Sequence, residues 1–205
     1  NHQVFSKLKK EHIEDYKALF SRQDFSLHTD RSGRTDKLLK DPAAFQAVCE
    51  LLYHYGKYLM ISGSRRGGQP LNLQGQWNAN IRPAWSSNYT VNINTQMNYW
   101  GASLCGLQEC LEPYLRMVHE VCKRGGKTAK VNYGCRGFAC NHNVDLWRKT
   151  APVIGESNYM YAPLCGVWLA NEIYEHYLNG GLDAERDTVL EIVRQAALFI
   201  MDYLV

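Results

Sequence analysis

Long apolar runs are missing from this 205-residue sequence: none approaches the roughly 20 residues a helix needs to cross a bilayer. A membrane-spanning helix within it is excluded, and no membrane partner is expected. Strong charge of either sign is missing too. Lys and Arg number 23 against 20 Asp and Glu. The basic side chains are scattered apart from short clusters at 7–10 and 65–66, which a solvated face explains. No nucleic-acid partner is expected. Seven cysteines are present, but no Cys-x-x-Cys pair and no Cys/His spacing of a zinc site. Four of them fall in or beside apolar helical stretches, where a free thiol behaves as a small hydrophobe. All seven read as reduced, which favours the cytoplasm. The opening NHQVFSKLKK lacks the apolar core of a signal peptide, as a trimmed chain also would, so secretion stays open. The sequon Asn88-Tyr89-Thr90 is a pattern only, silent in a bacterial cytosol. No phosphate-binding glycine loop, Ser/Cys–His–acid signature or metal-ligand motif occurs, so neither cofactor nor metal is expected.

Carboxylates are absent from one stretch in particular, residues 72–100, NLQGQWNANIRPAWSSNYTVNINTQMNYW. It holds instead ten side-chain amides and three of the five tryptophans. Amides offer two donors and an acceptor without charge, which suits hydroxyl groups, and flat aromatic faces suit the C–H face of a sugar ring. Little strand alternation is visible, so the stretch reads as a long loop running into a helix. Long ordered loops are usually functional. Two readings stand side by side: a site for a neutral polyol, a carbohydrate first of all, or a structural loop with Asn turns and Trp core anchors.

Helical periodicity accounts for most of the remainder. A first helix is expected over 4–21, with Phe5, Leu8, His12, Tyr16, Leu19 and Phe20 on one face. A polar, irregular segment fills 22–40. Asp41-Pro42 opens a second helix, whose buried stripe is Phe45, Val48, Cys49, Leu52, Tyr55 and Leu59, ending near 64. A third runs over 93–104. A fourth covers 111–122, buried through Leu111, Leu115, Val118 and Cys122, with Gly125-Gly126 interrupting it and a helical turn at 127–133. The fifth spans 161–179. Asp183 caps the sixth, striped by Val189, Ile192, Val193, Ala196, Ile200 and Leu204. That stripe is still periodic at residue 205, which suggests a chain cut from something longer. The fold class is all-α, six helices in hairpins with chemistry on two loops.

The second loop, 134–152, gathers Arg136, Asn141, His142, Asn143, Asp145 and Trp147. His142 and Asp145 are close enough in sequence for the carboxylate to orient the imidazole, as a general base or an oriented donor requires. A satisfied structural histidine is the competing meaning.

In order and spacing, NLQGQWN, YTVNINTQMNYW, GCRGFACNHNVDLW followed by TAP, and WLANEIYEHY resemble glycoside hydrolase family 95. GKYLMISGSRRG also resembles the family's GRYLLISSSRPG, so the likeness runs from about residue 16 to the end. Best known in that family are inverting 1,2-α-L-fucosidases; some members act on α-L-galactosides. The resemblance implies an (α/α)6 barrel, of which these helices would be about half. It implies that Asn94 activates the attacking water, polarised by a separate Asp, and that Asn92 helps hold water and fucose. His142, Asn143, Asp145 and Trp147 would line the fucose pocket. Inversion also needs a general acid. The family's acidic Glu lies in a Ser-Pro-Glu-Asn context after the sixth helix, and its activating Asp further on; neither is in this sequence. Departures occur at Asn141-His142-Asn143-Val144-Asp145, where the family has His-His-Asn-Thr-Asp, and at Trp100-Gly101-Ala102-Ser103, where it has Trp-Pro-Ala-Glu.

The resemblance implies a segment of a fucosidase catalytic domain, inactive alone, acting on a fucosylated oligosaccharide and prone to self-association through exposed half-barrel edges. A carbohydrate-binding protein that kept the pocket without the chemistry, an α-L-galactosidase and a peptide-binding helical adaptor are the alternatives.

Overall fold

The computed structural model describes residues 2–30 and 32–204. The fold is all-α: α1 (His2–Phe20), α2 (Thr35–Leu38), α3 (Phe45–Gly63), α4 (Asn94–Tyr99), α5 (Glu112–Thr128), α6 (Ser157–Met160), α7 (Cys165–Leu178) and α8 (Arg186–Tyr203). The chain forms two compact units, residues 1–62 and 63–205.

In the first unit, Asp41 opens the helix as expected, its carboxylate accepting from the Ala43 amide at 2.9 Å ahead of the turn Pro42–Ala44. The expected stripe of α3 is only partly buried: Val48, Cys49 and Leu59 are half-buried. Phe45, Leu52 and Tyr55 are 71%, 59% and 53% exposed, whereas Glu50 and Lys57 are 0% and 2% exposed. The irregular segment after α1 accounts for the buried charges. Its main chain runs over Glu50, which accepts from the Leu27 amide and from Ser26 Oγ, and over Lys57. Lys57 donates to the carbonyls of Phe20 (2.8 Å) and Gln23. Charged side chains thus satisfy a loop without its own backbone ladder, beside the buried Ala47, Met60 and Ile61. On α1, Phe5 and Leu8 are exposed.

The second unit follows its periodicity in part: Trp168 and Leu204, expected on buried stripes, are 37% and 72% exposed. Leu111, Leu115, Val118 and Cys122 are buried beside α5, Leu169 and Ile173 on α7, and Val189, Ile192, Ala196 and Phe199 on α8. Tyr99, at the end of α4, stacks on Tyr114 of α5 with ring centroids 4.5 Å apart and planes at 8°. Its hydroxyl lies 2.7 Å from Ser64 Oγ and accepts from the Leu71 amide at 2.9 Å. That anchor places the start of the amide-rich loop next to α4.

Three expectations need correction. Gly125-Gly126 lie inside α5, which continues as a π-helical turn, Ala129–Tyr133. The missing side chain makes room for a crossing strand of loop: a Cβ at Gly125 would sit 2.7 Å from the Ala139 carbonyl oxygen. The third helix stops at Tyr99 instead of 104. Asp183 makes no side-chain cap; it begins a 3-10 turn, Asp183–Glu185, that leads into α8.

A strand pair also went unread. β1 (Tyr89–Thr90) and β2 (Asn143–Val144) pair antiparallel, Tyr89 opposite Val144 and Thr90 opposite Asn143. The Val91 amide extends the pairing to the His142 carbonyl at 2.8 Å. Two residues are too few for alternation to show, yet this pairing joins the two loops singled out by composition.

Candidate functional site

The two loops meet at a cleft of about 860 Å³. Asn88, Thr90, Asn92 and Asn94 line it from the first loop, His142 and Asn143 from the second, and Trp85, Ile154 and Tyr159 supply apolar and aromatic walls. Among the described residues no carboxylate lines it.

The first loop is rigidified largely by its own amides. Asn72 Oδ1 accepts from the Gln74 amide at 2.8 Å, Gln74 Nε2 donates to the Ala84 carbonyl at 3.2 Å, and Ser87 Oγ donates to Gln74 Oε1. Gln76 donates to the Gly63 carbonyl at 2.5 Å. These amides therefore build the loop and are not free for a ligand. Those of Asn92 and Asn94 are different: both residues are exposed on the cleft, and neither side chain is hydrogen-bonded among the described residues. At the lip, Trp85, Ser86 and Ser87 have φ of 55°, 57° and 50°, a left-handed run that costs roughly 1–2 kcal/mol per residue. The run holds Trp85 out at 80% exposure over the cleft.

His142 faces Tyr159 edge-on, ring centroids 6.0 Å apart. Its Nδ1 is buried without a hydrogen-bond partner among the described residues, and burial pushes its pKa below the ordinary 6.5. The folded chain thus holds His142 neutral while the unfolded chain protonates near 6.5, so stability present above that pH is lost as pH falls through it. Proton NMR should place the His142 imidazole midpoint below 6.5 in the folded chain and near 6.5 in urea. Equal midpoints would show that the ring is solvated.

Four of the six residues singled out from sequence, Asn92, Asn94, His142 and Asn143, meet in this cleft. Asp145 and Trp147 do not line it. Asp145 Oδ1 accepts from the amides of Trp147 and Lys149, both at 2.9 Å. The carboxylate folds its own turn and does not orient His142. Trp147 is 73% exposed beside it. Asn141 is buried, holding Tyr133, Ala162 and Thr150. Arg136 forms a bidentate pair with Asp202 on α8.

Arg148 was missed. It is buried, with a left-handed φ of 61°; Nε meets Glu120 and Nη2 meets Gln69, each at 2.7 Å. Its guanidinium stacks over Tyr89 at 5.6 Å. One side chain therefore clamps the second loop against β1. The Trp-Arg pair at 147–148 was visible in the sequence, but nothing there distinguished a clamp from a surface cation. Trp85 and Tyr159 carried no spacing signal.

The arrangement offers neutral donors and acceptors beside aromatic and aliphatic walls, the makings of a sugar pocket. It has no acid of its own. Among the described residues no group of three or more His, Cys, Asp or Glu could hold a metal.

Residues 4–205 match the family described as the glycosyl hydrolase family 95 catalytic domain. The chain is 38% identical over 184 residues to "Alpha-L-fucosidase 2" of Arabidopsis thaliana, covering 84% of this chain and 22% of that protein. It is 32% identical over 210 residues to "Probable alpha-fucosidase A" of Aspergillus niger, covering 98% and 26%. It thus spans about a quarter of the length of these relatives. They are plant and fungal proteins. With its helical fold and its amide-lined cleft, the chain belongs to the glycosyl hydrolase family 95 catalytic domain family.

Proposed function

We propose that this chain carries the water-activating and fucose-holding part of an α-L-fucosidase that removes terminal α-1,2-linked L-fucose with inversion. The carrying observation is the convergence of Asn92, Asn94, His142 and Asn143 on one cleft that no carboxylate lines. In this reading Asn94 places the water and Asn92 steadies it against the sugar. His142 and Asn143 bind ring hydroxyls, and Tyr159 and Trp85 cover the apolar face. An amide takes a proton only beside a negative charge. The polarising carboxylate and the general acid therefore come from the rest of the catalytic domain, as do the helices that would complete an (α/α)6 barrel. Free thiols at all seven cysteines favour a reducing compartment.

Titration calorimetry of the 205-residue chain tests the pocket directly. L-Fucose should bind, and Asn94→Ala and His142→Ala should each weaken binding about tenfold, the equivalent of one charge-free hydrogen-bond pair and its desolvated partner. No heat with L-fucose or with L-galactose, or heat indifferent to Asn94→Ala, would remove the cleft from consideration. A binding protein without chemistry is the second reading, favoured by the lack of a carboxylate in the cleft. Fucose release from 2′-fucosyllactose by the full-length protein separates the two. A preference for L-galactose would mark the galactosidase variant, the sugars differing by one hydroxyl that a pocket can reject by only about 10²-fold.

A further inference from the structure

A second cleft, of about 320 Å³, shares no lining residue with the first. Its walls come from α4 and the turns after it on one side and from α7 on the other. Three buried lining side chains carry a polar atom without a hydrogen-bond partner among the described residues: Gln96 Oε1, Glu172 Oε1 and His176 Nε2, on residues 0%, 7% and 3% exposed. The other end of each group is fixed. Gln96 donates to the Val91 carbonyl at 2.6 Å, Tyr114 donates to Glu172 Oε2 at 2.5 Å, and His176 Nδ1 lies 2.9 Å from Ser103 Oγ. These are not loose side chains that could turn to find partners. Buried polar atoms left so are uncommon in folded proteins and call for an occupant.

Geometry narrows the occupant. His176 Nε2 and Glu172 Oε1 stand 3.8 Å apart, too far for a hydrogen bond, but an oxygen between them reaches both. In the tautomer in which Ser103 donates to Nδ1, 2.9 Å away, the imidazole carries its hydrogen on Nε2 and donates, while the carboxylate accepts. The bridging group must accept one hydrogen bond and donate another. A hydroxyl or a water does that; an ammonium only donates and a phosphate dianion only accepts. Gln96 Oε1 asks for a second donor. Around them Trp100 and Trp168, 61% and 37% exposed, offer flat faces to a ring, and Glu175 adds a further acceptor. We propose that this cleft is a second carbohydrate site, taking a neutral sugar ring through its hydroxyls. The inference stands apart from the catalytic role given to Asn94.

Indole NMR of the ¹⁵N-tryptophan-labelled chain tests it, with L-fucose, D-galactose and D-glucose as probes. At least one sugar should move the Trp100 and Trp168 signals at millimolar concentration, and Asn94→Ala should leave those shifts in place. Trp168→Ala should weaken the response read at Trp100 by about fivefold or more, as the loss of roughly 1 kcal/mol requires. Glu172→Gln should do the same. Because that change disturbs the buried bond to Tyr114, the exposed variant Glu175→Ala serves as its check and should weaken binding in a chain with an unaltered spectrum. Trp85 in the first cleft reports separately, so the two sites fail or succeed independently. Silent Trp100 and Trp168 signals with all three sugars at tens of millimolar would overturn the proposal. So would a crystal soaked in the same sugars that shows only water between His176 and Glu172.

Discussion

Replacing Asn94 by Ala in the complete catalytic domain is expected to lower kcat on 2′-fucosyllactose by about 10²–10⁴-fold, the range that a positioned acid–base group contributes. Stability should hardly change. Asn94 is exposed at the first position of α4, and its amide bonds to nothing among the described residues. Surface changes of this kind stay within about 0.5 kcal/mol. The split between an intact fold and a collapsed rate is what a water-positioning role requires, and a structural asparagine would show the reverse. Asp145→Asn is the paired measurement. The resemblance to family 95 implied a sugar contact for Asp145, but its carboxylate is engaged by the Trp147 and Lys149 amides and lies outside the cleft. That variant should lose about 1 kcal/mol of stability and keep kcat within a few-fold. A rate for Asn94→Ala within tenfold of the parent would remove the proposed mechanism. An Asp145→Asn enzyme as slow as Asn94→Ala would restore the carboxylate to the chemistry.

The stripes of α5 and most of α8 were legible because their burial is decided by packing alone, whereas α7 also buries Glu172 and His176 and leaves Trp168 exposed. On α3 the stripe was half right, since Glu50 and Lys57 are buried by the main chain they satisfy and hydropathy has no means of anticipating that. Composition found both loops of the cleft and four residues that meet there. It could not find the two-residue pairing of Thr90 with Asn143, more than fifty positions apart, which makes them one site. Proximity in sequence misled at His142 and Asp145. A carboxylate followed two and four residues later by free amides closes a turn before it can reach an imidazole.

Gly137→Ala should be the most damaging substitution in the second unit, costing about 2–5 kcal/mol and lowering Tm by about 10 °C. Two costs combine. The residue has φ of +69°, where a Cβ costs roughly 1–2 kcal/mol. The added carbon would also fall 2.0 Å from the Gln195 carbonyl oxygen and 2.6 Å from the Phe199 nitrogen. Both are backbone atoms of α8 and cannot swing aside like a side chain. Gly180 isolates the first cost, with φ of +72° and nothing within 4 Å of its built Cβ; Gly180→Ala should lose only about 1 kcal/mol. Urea melts of the two variants read the difference, and equal losses would show that the approach to α8 is not tight. The consequence reaches the cleft. Residues 135–141 run between Gly125 of α5 and Gln195 of α8 before delivering His142 and β2. Pushing that segment off α8 should therefore weaken L-fucose binding, although Gly137 itself does not line the cleft, and Gly180→Ala should leave binding as it was.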